Sequence, residues 1–142
     1  MNARVIARVL GIVFLLAGIA GFIPQLTQSM PFDAQVVTLT NGYGMLFGAF
    51  PVNVVHDGLH IVFGIWGLLA AFRFTSAVAF NRSVMWIYAI LVILGAIPIT
   101  NTLFGVAPIY GNDIWLHLAI LLLAAWGGYG RGSKEIIPPP AL

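Results

Sequence analysis

Apolar residues run almost unbroken through four stretches of the chain. Val5 to Ile23 carries no charge except Arg8, and Val54 to Phe72 is polar only at His56, Asp57 and His60. Ser83 to Ile99 and Ile114 to Gly128 complete the set. A helix rises 1.5 Å per residue, so about 20 residues cross the roughly 30 Å hydrocarbon layer of a bilayer. With interfacial flanks, the four stretches predict membrane-spanning helices over 5–24, 54–73, 82–100 and 112–130. They leave an outer loop over 25–53 and a proline-rich tail over 131–142, expected to be extended and weakly ordered. Strands are a poor alternative, because lipid cannot satisfy an open edge and a closed barrel would alternate apolar with polar positions. Arg4 and Arg8 give the first stretch the basic start of a signal peptide, but its apolar run is too long for one, and it reads as the first span.

Composition agrees. Hydrophobic residues make up 61% of the 142 and charged residues only 7%, against about 25% charged in soluble domains. Mean hydropathy is +1.02. A soluble globular enzyme and a disordered chain are both excluded, since neither tolerates so little charge. The absence of cysteine excludes disulfides, thiolate metal sites and cysteine nucleophiles. Six basic residues are too few for a nucleic-acid-binding face.

Their placement is more informative than their number. Arg4 and Arg8 precede the first span, Arg73 and Arg82 lie between the second and third, and Arg131 and Lys134 follow the fourth. Four crossings therefore put every basic residue on one side. Asp33, Asp57 and Asp113 fall on the other, and only Glu135 joins the basic side. The positive-inside rule places both termini in the cytoplasm. Trp86, Trp126 and Tyr129 near one interface and Tyr110 and Trp115 near the other fit aromatic belts.

The chain also repeats itself. Leu46 to His60 aligns without gaps on Leu103 to His117, sharing L-F-G-x-x-P-[V/I]-x-x-x-[H/D]-x-x-L-H, with six of fifteen positions identical. Gly21-Phe-Ile-Pro24 matches Gly95-Ala-Ile-Pro98 at the ends of the first and third spans. The expected architecture is an all-α integral membrane protein, a four-transmembrane-helix bundle made of two parallel helical-hairpin repeats. The first copy carries 17 extra residues between its proline and its L-F-G motif. That segment, Gln25 to Met45, is expected either to lie over the bundle or to act as a lid. Asn53 and Asn112 are expected to cap the helices that follow, with Asp57 and Asp113 in or near their first turns. Small residues four apart (Ala7 and Gly11, Ala17 and Gly21, Gly67 and Ala71, Ala124 and Gly128) should let helices approach closely.

The paired motifs L-F-G-x-x-P-V-N-x-x-H-D-x-x-H and L-F-G-x-x-P-x-x-x-x-D-x-x-x-H resemble a family of small bacterial membrane proteins, domain of unknown function 4383. The resemblance spans roughly Arg4 to Gly128 and implies a four-helix protein of the bacterial cytoplasmic membrane. It implies no reaction. His56, His60, Asp113 and His117 match the family's polar signature, whereas the long first loop and the tail look particular to this chain.

His56 and His60 share a helix face, and Asp113 and His117 have the same spacing. The repeat relates His60 to His117 and His56 to Asp113. Where the second and fourth helices meet, three imidazoles and one carboxylate would converge on the outer side. His56, His60, Asp113 and His117 suit zinc chemically. His56, His60 or His117 could instead ligate a haem or chlorophyll-type pigment axially. The same residues also serve as hydrogen-bonding side chains between helices, without any ligand. No nucleophile elbow, phosphate loop or H-E-x-x-H motif is present, so no catalytic residue is assigned. The leading expectation is a non-enzymatic accessory or structural membrane protein that packs against itself or a larger complex. The alternatives are a metal- or tetrapyrrole-binding protein and a pH-sensitive or small-ligand-binding module, the last requiring a cavity beneath loop 25–45.

Overall fold

A computed structural model of the chain describes residues 2–130 and 133–134. The tail expected over 131–142 falls outside the described residues apart from Ser133 and Lys134. The described chain is helical, with four α-helices: α1 (Ala3–Gly21), α2 (Val54–Ala70), α3 (Phe74–Ala96) and α4 (Asn112–Tyr129). By length and composition, α1 and α3 are apolar enough to cross a membrane. α2 is equally apolar but shorter, at 17 residues.

α1 begins where the Asn2 side chain accepts the Val5 N–H at 3.0 Å, satisfying one of the donors a helix start leaves open. It ends just before Pro24, which starts a short 3-10 turn (Pro24–Leu26). α3 starts at Phe74, well before the expected span at residue 82, and stops at Ala96, short of residue 100. An apolar-run reading stops at Asn81 and Arg82, but Asn81 is buried and both side chains bond across to other helices. Asn81 Nδ2 donates to the Ala3 carbonyl at 3.0 Å, and Arg82 Nε donates to the Gly128 carbonyl at 2.8 Å. Asn112 does not cap α4 as expected. Gly111, at φ 65°, takes that position, and Asn112 donates instead to the Ala49 carbonyl.

The expected outer loop contains a small sheet that the apolar pattern does not announce. β1 (Thr27–Gln28), β2 (Gly44–Leu46) and β3 (Phe50–Val52) pair antiparallel in that order. Thr27 opposes Leu46, and Met45 opposes Pro51. Pro51 lacks an N–H and sits on an edge strand, where none is needed. The β2–β3 turn runs through Phe47 (φ 53°) and Gly48 (φ 67°). The second L-F-G motif takes the same left-handed path at Phe104 (φ 58°) and Gly105 (φ 89°). The extra residues of the first loop lie over this second turn. Thr38 N–H donates to the Gly105 carbonyl at 2.8 Å, and Val37 is buried.

α1 packs chiefly on α2, and α3 on α4, while α1 also touches α3 and α4. Small residues set the α1–α2 distance. A Cβ on Gly11 would stand 2.8 Å from the backbone nitrogen of Leu68, and one on Gly67 would meet Phe80, Gly11 and Ala7. A Cβ on Gly128 would stand 2.8 Å from the Cγ of Arg82 and 3.1 Å from its backbone nitrogen. The core is lined by Ile6, Leu10, Phe14, Phe80, Val84 and Ile120. The outward faces are also apolar, at Val9, Ile12 and Leu16 on α1, Val62 and Leu69 on α2, Ile90 and Ile93 on α3, and Leu122 on α4. The polar side chains His56, Asp57, His60, Asn81, Asp113 and His117 are buried.

Candidate functional site

The site lies at the loop end of the bundle, and helix geometry alone brings its first two members together. Asn53, fully buried, accepts the His56 N–H at 3.0 Å and so starts α2 at a fixed register. Its Nδ2 donates to the carbonyls of Leu39 (3.0 Å) and Val106 (2.9 Å), tying both loops to that start. One turn on, His60 follows His56, their ring centroids 4.5 Å apart. α4 brings His117 from the other hairpin. The ligand nitrogens of His56, His60 and His117 all lie within 4.8 Å of one another, and the three residues are only 5%, 8% and 2% exposed.

The remaining helices hold the rings. Phe14 of α1 stacks on His60 at 5.7 Å with an interplanar angle of 17°. Tyr88 of α3 meets His117 edge-on at 4.9 Å and stacks on Phe14 at 5.5 Å. Sequence reading did not single out Phe14 or Tyr88. Tyr88 left a trace, as the only hydroxyl between Val84 and Ile99. Phe14 left none, because an aromatic at helical spacing reads as core.

His56 Nδ1 lies 2.8 Å from the Pro108 carbonyl. A carbonyl only accepts, so Nδ1 carries the hydrogen and Nε2 presents a lone pair. This is the arrangement in which a metal-ligating histidine is held by a second hydrogen bond. Asp113 Oδ2 stands 3.8 Å from the same Nδ1. Of the four expected ligand residues, three therefore gather, and Asp113 stands behind His56 rather than among them. The sequence alignment sets Asp113 opposite His56, but it is the Pro108 carbonyl that meets the His56 ring. His117 Nδ1 and Asp113 Oδ2 are buried and find no hydrogen-bond partner among the described residues. Buried polar atoms are seldom left so, and an absent ion is one of the few physical explanations.

A cavity of about 130 Å³ opens on the three imidazoles, lined also by Phe63, Tyr88 and Leu103. Pockets for organic ligands run from roughly 300 to 1,000 Å³. The space suits an ion and a small molecule beside it, not an enclosed tetrapyrrole. Zinc–nitrogen bonds of about 2.0–2.1 Å in a tetrahedron set the ligand nitrogens about 3.4 Å apart. Rotation of the imidazoles by about an ångström would close the triad on such an ion.

Asp57 lies in the first turn of α2 but faces away from the triad. It is 1% exposed, its carboxylate packs against Gly21 of α1, and neither oxygen has a partner among the described residues. A larger cavity, about 460 Å³, lies beside it, lined by Thr27, Gln28, Asn41 and Tyr43 among others. This is a space beneath loop 25–45. Tyr43 spans the two loops, its hydroxyl 2.8 Å from that of Tyr110. Burial, and then this hydrogen bond, hold the Tyr43 phenol above its ordinary pKa.

Comparison with curated proteins and with solved structures finds no match. The model of one family, described as a domain of unknown function (DUF4383), matches residues 4–129. That match takes in all four helices, both L-F-G turns and every residue of the histidine cluster, and the chain belongs to the DUF4383 family.

Proposed function

We propose that this chain is a non-enzymatic, four-span protein of the bacterial cytoplasmic membrane that holds a divalent transition-metal ion between its two helical hairpins. The observation that carries the proposal is the convergence of His56, His60 and His117, from both hairpins, with their ligand nitrogens within 4.8 Å. Imidazole is a preferred ligand of zinc and its neighbours in the first transition row. The His56–Pro108 hydrogen bond supplies the outer support such ligands need, and Asp113 supplies negative charge. An ion coordinated by α2 and α4 would link the hairpins where few other direct contacts join those two helices.

Several features support four crossings and a parallel repeat. All four helices carry large apolar side chains outward, and α2, α3 and α4 bury polar ones inward, the distribution lipid favours. The two L-F-G turns share their left-handed backbone. Arg4 Nε donates to the Ala71 carbonyl at 3.0 Å, as Arg82 Nε does to that of Gly128, and those two carbonyls hold equivalent places in the repeat. Arg4 and Arg82 bond at the end of the bundle opposite Asp57 and Asp113, a distribution that supports cytoplasmic termini under the positive-inside rule.

A second reading is favoured by the aromatic stacking and the His56–Pro108 bond. In it, the cluster is polar packing of an accessory subunit and needs no ion. The unpartnered His117 Nδ1 and Asp113 Oδ2 weigh against it, because a polar network kept for packing satisfies its own atoms. Elemental analysis by inductively coupled plasma mass spectrometry separates the two. After exposure to zinc and removal of the excess, the metal-binding reading expects about one equivalent per chain, lost in His60→Ala and His117→Ala. Only trace metal in a folded wild-type protein supports polar packing.

A further inference from the structure

The three histidines are almost wholly buried, so an ion needs a way to them. The small cavity at the imidazoles does not offer one, because its other walls include Leu59, Phe63, Leu91 and Ile109, and apolar walls do not solvate a dication. The cavity beneath the long loop has the opposite chemistry. Thr27, Gln28, Ser29, Asn41 and Tyr43 bring oxygens to its walls, no lysine or arginine lines it, and Asp57 lies at its base. Asp57 is buried with both oxygens unpartnered, a costly state for a carboxylate that meets no cation. Asp57 directly follows His56 on α2, so this cavity reaches to one residue from the first ligand.

We infer that the cavity beneath loop 25–45 is a cation vestibule, in which Asp57 receives a divalent ion on its way to the three histidines. This rests on the metal-binding reading and adds a second site with a different task. The vestibule governs how fast the ion arrives, and the histidines govern how tightly it stays. Gly21 makes room for the Asp57 carboxylate, since a side chain there would occupy its place. The 17 residues that the first loop has and the second lacks supply part of the vestibule's wall, including Ser29 and Asn41. That assigns a role to the asymmetry of the repeat.

The test uses cobalt(II) alone, added to the full chain in detergent, with loading followed by the absorbance of the coordinated ion. Asp57→Asn is expected to slow loading about tenfold or more while final occupancy stays near that of the wild type, the scale on which fields focused in clefts change association rates. Ser29 is exposed at the cavity and outside the core. Ser29→Arg should slow loading and Ser29→Glu should not, with the difference shrinking as salt is raised. Equal rates in the wild type and in these variants, at full occupancy, overturn the vestibule and leave the histidine site standing. If Asp57→Asn does not fold, the Ser29 pair decides alone, and identical rates for arginine and glutamate overturn the inference. A folded wild type that takes up no cobalt overturns the vestibule together with the site it serves.

Discussion

The two ends of the bundle treat their polar groups in opposite ways. At the end carrying the termini, Arg4 Nε donates to the Ala71 carbonyl, Arg82 Nε to that of Gly128, and Asn81 Nδ2 to that of Ala3. The Ala71 and Gly128 carbonyls are ones that the ends of α2 and α4 would otherwise leave open, and Arg82 also lies over the Tyr129 ring at 4.7 Å. At the loop end, Asp57, Asp113 and His117 keep buried polar atoms without partners. Asn53, a few residues away, satisfies its amide fully. Poor packing is therefore not the general condition of the loop end. The terminal end leaves one buried amide oxygen, Asn81 Oδ1, without a partner, whereas the loop end leaves the carboxylate oxygens of Asp57 and Asp113, with His117 Nδ1 and Asn101 Oδ1, in surplus, which a positive ion would balance.

Substitutions should break this comparison unequally. The largest effect on the fold is expected from Asn53→Ala. It removes the α2 cap and leaves the Leu39 and Val106 carbonyls unpaired, costing about 3 kcal/mol in total, and thermal unfolding should show it with or without metal. Asp113→Asn should weaken metal binding tenfold to a hundredfold, as loss of outer-shell support does. The same change should raise the thermal stability of the metal-free protein, because it removes a buried carboxylate that lacks a partner. Opposite signs in the two measurements would sharpen the contrast between the ends, whereas a loss in both would count against it. Arg82→Met should cost about 1–2 kcal/mol through the lost charge-assisted bond to Gly128, yet leave metal stoichiometry unchanged. A comparably small effect is expected from Tyr43→Phe. It loses the hydroxyl's bonds to the Gln35 carbonyl and to Tyr110, about 0.5–1.5 kcal/mol each, and a loss of unfolding free energy no larger than that, with metal stoichiometry unchanged, would place the loop latch outside the metal site.

The histidine pair on α2 and the Asp113–His117 pair on α4 were legible because four-residue spacing puts side chains on one helix face wherever the helix goes. The two L-F-G segments stood out because glycine and proline restrict which residues fit a tight turn; both turn left-handed at Phe47–Gly48 and at Phe104–Gly105, the second already at Leu103. The start of α3 was not legible. Asn81 and Arg82 look like the end of an apolar run until Ala3 and Gly128 are brought beside them. The cap at Asn112 failed for a related reason, since Gly111 takes up the turn and frees Asn112 to reach Ala49.

The sequence by itself determined the helices, their apolar outward faces, the separation of basic and acidic residues between the two ends, and the histidines that share a face. Each of these depends on spacing along one chain segment or on composition. Only the tertiary structure decided that three imidazoles meet while Asp113 stands behind His56, and that Phe14 and Tyr88 hold the rings. It alone decided that Asp57 turns toward Gly21 and a cavity rather than toward the histidines. Those outcomes depend on how far apart helices from different hairpins pack and how they are rotated. Glycines at contacts such as Gly11 and Gly67 set that distance, and no periodicity within a single helix encodes it.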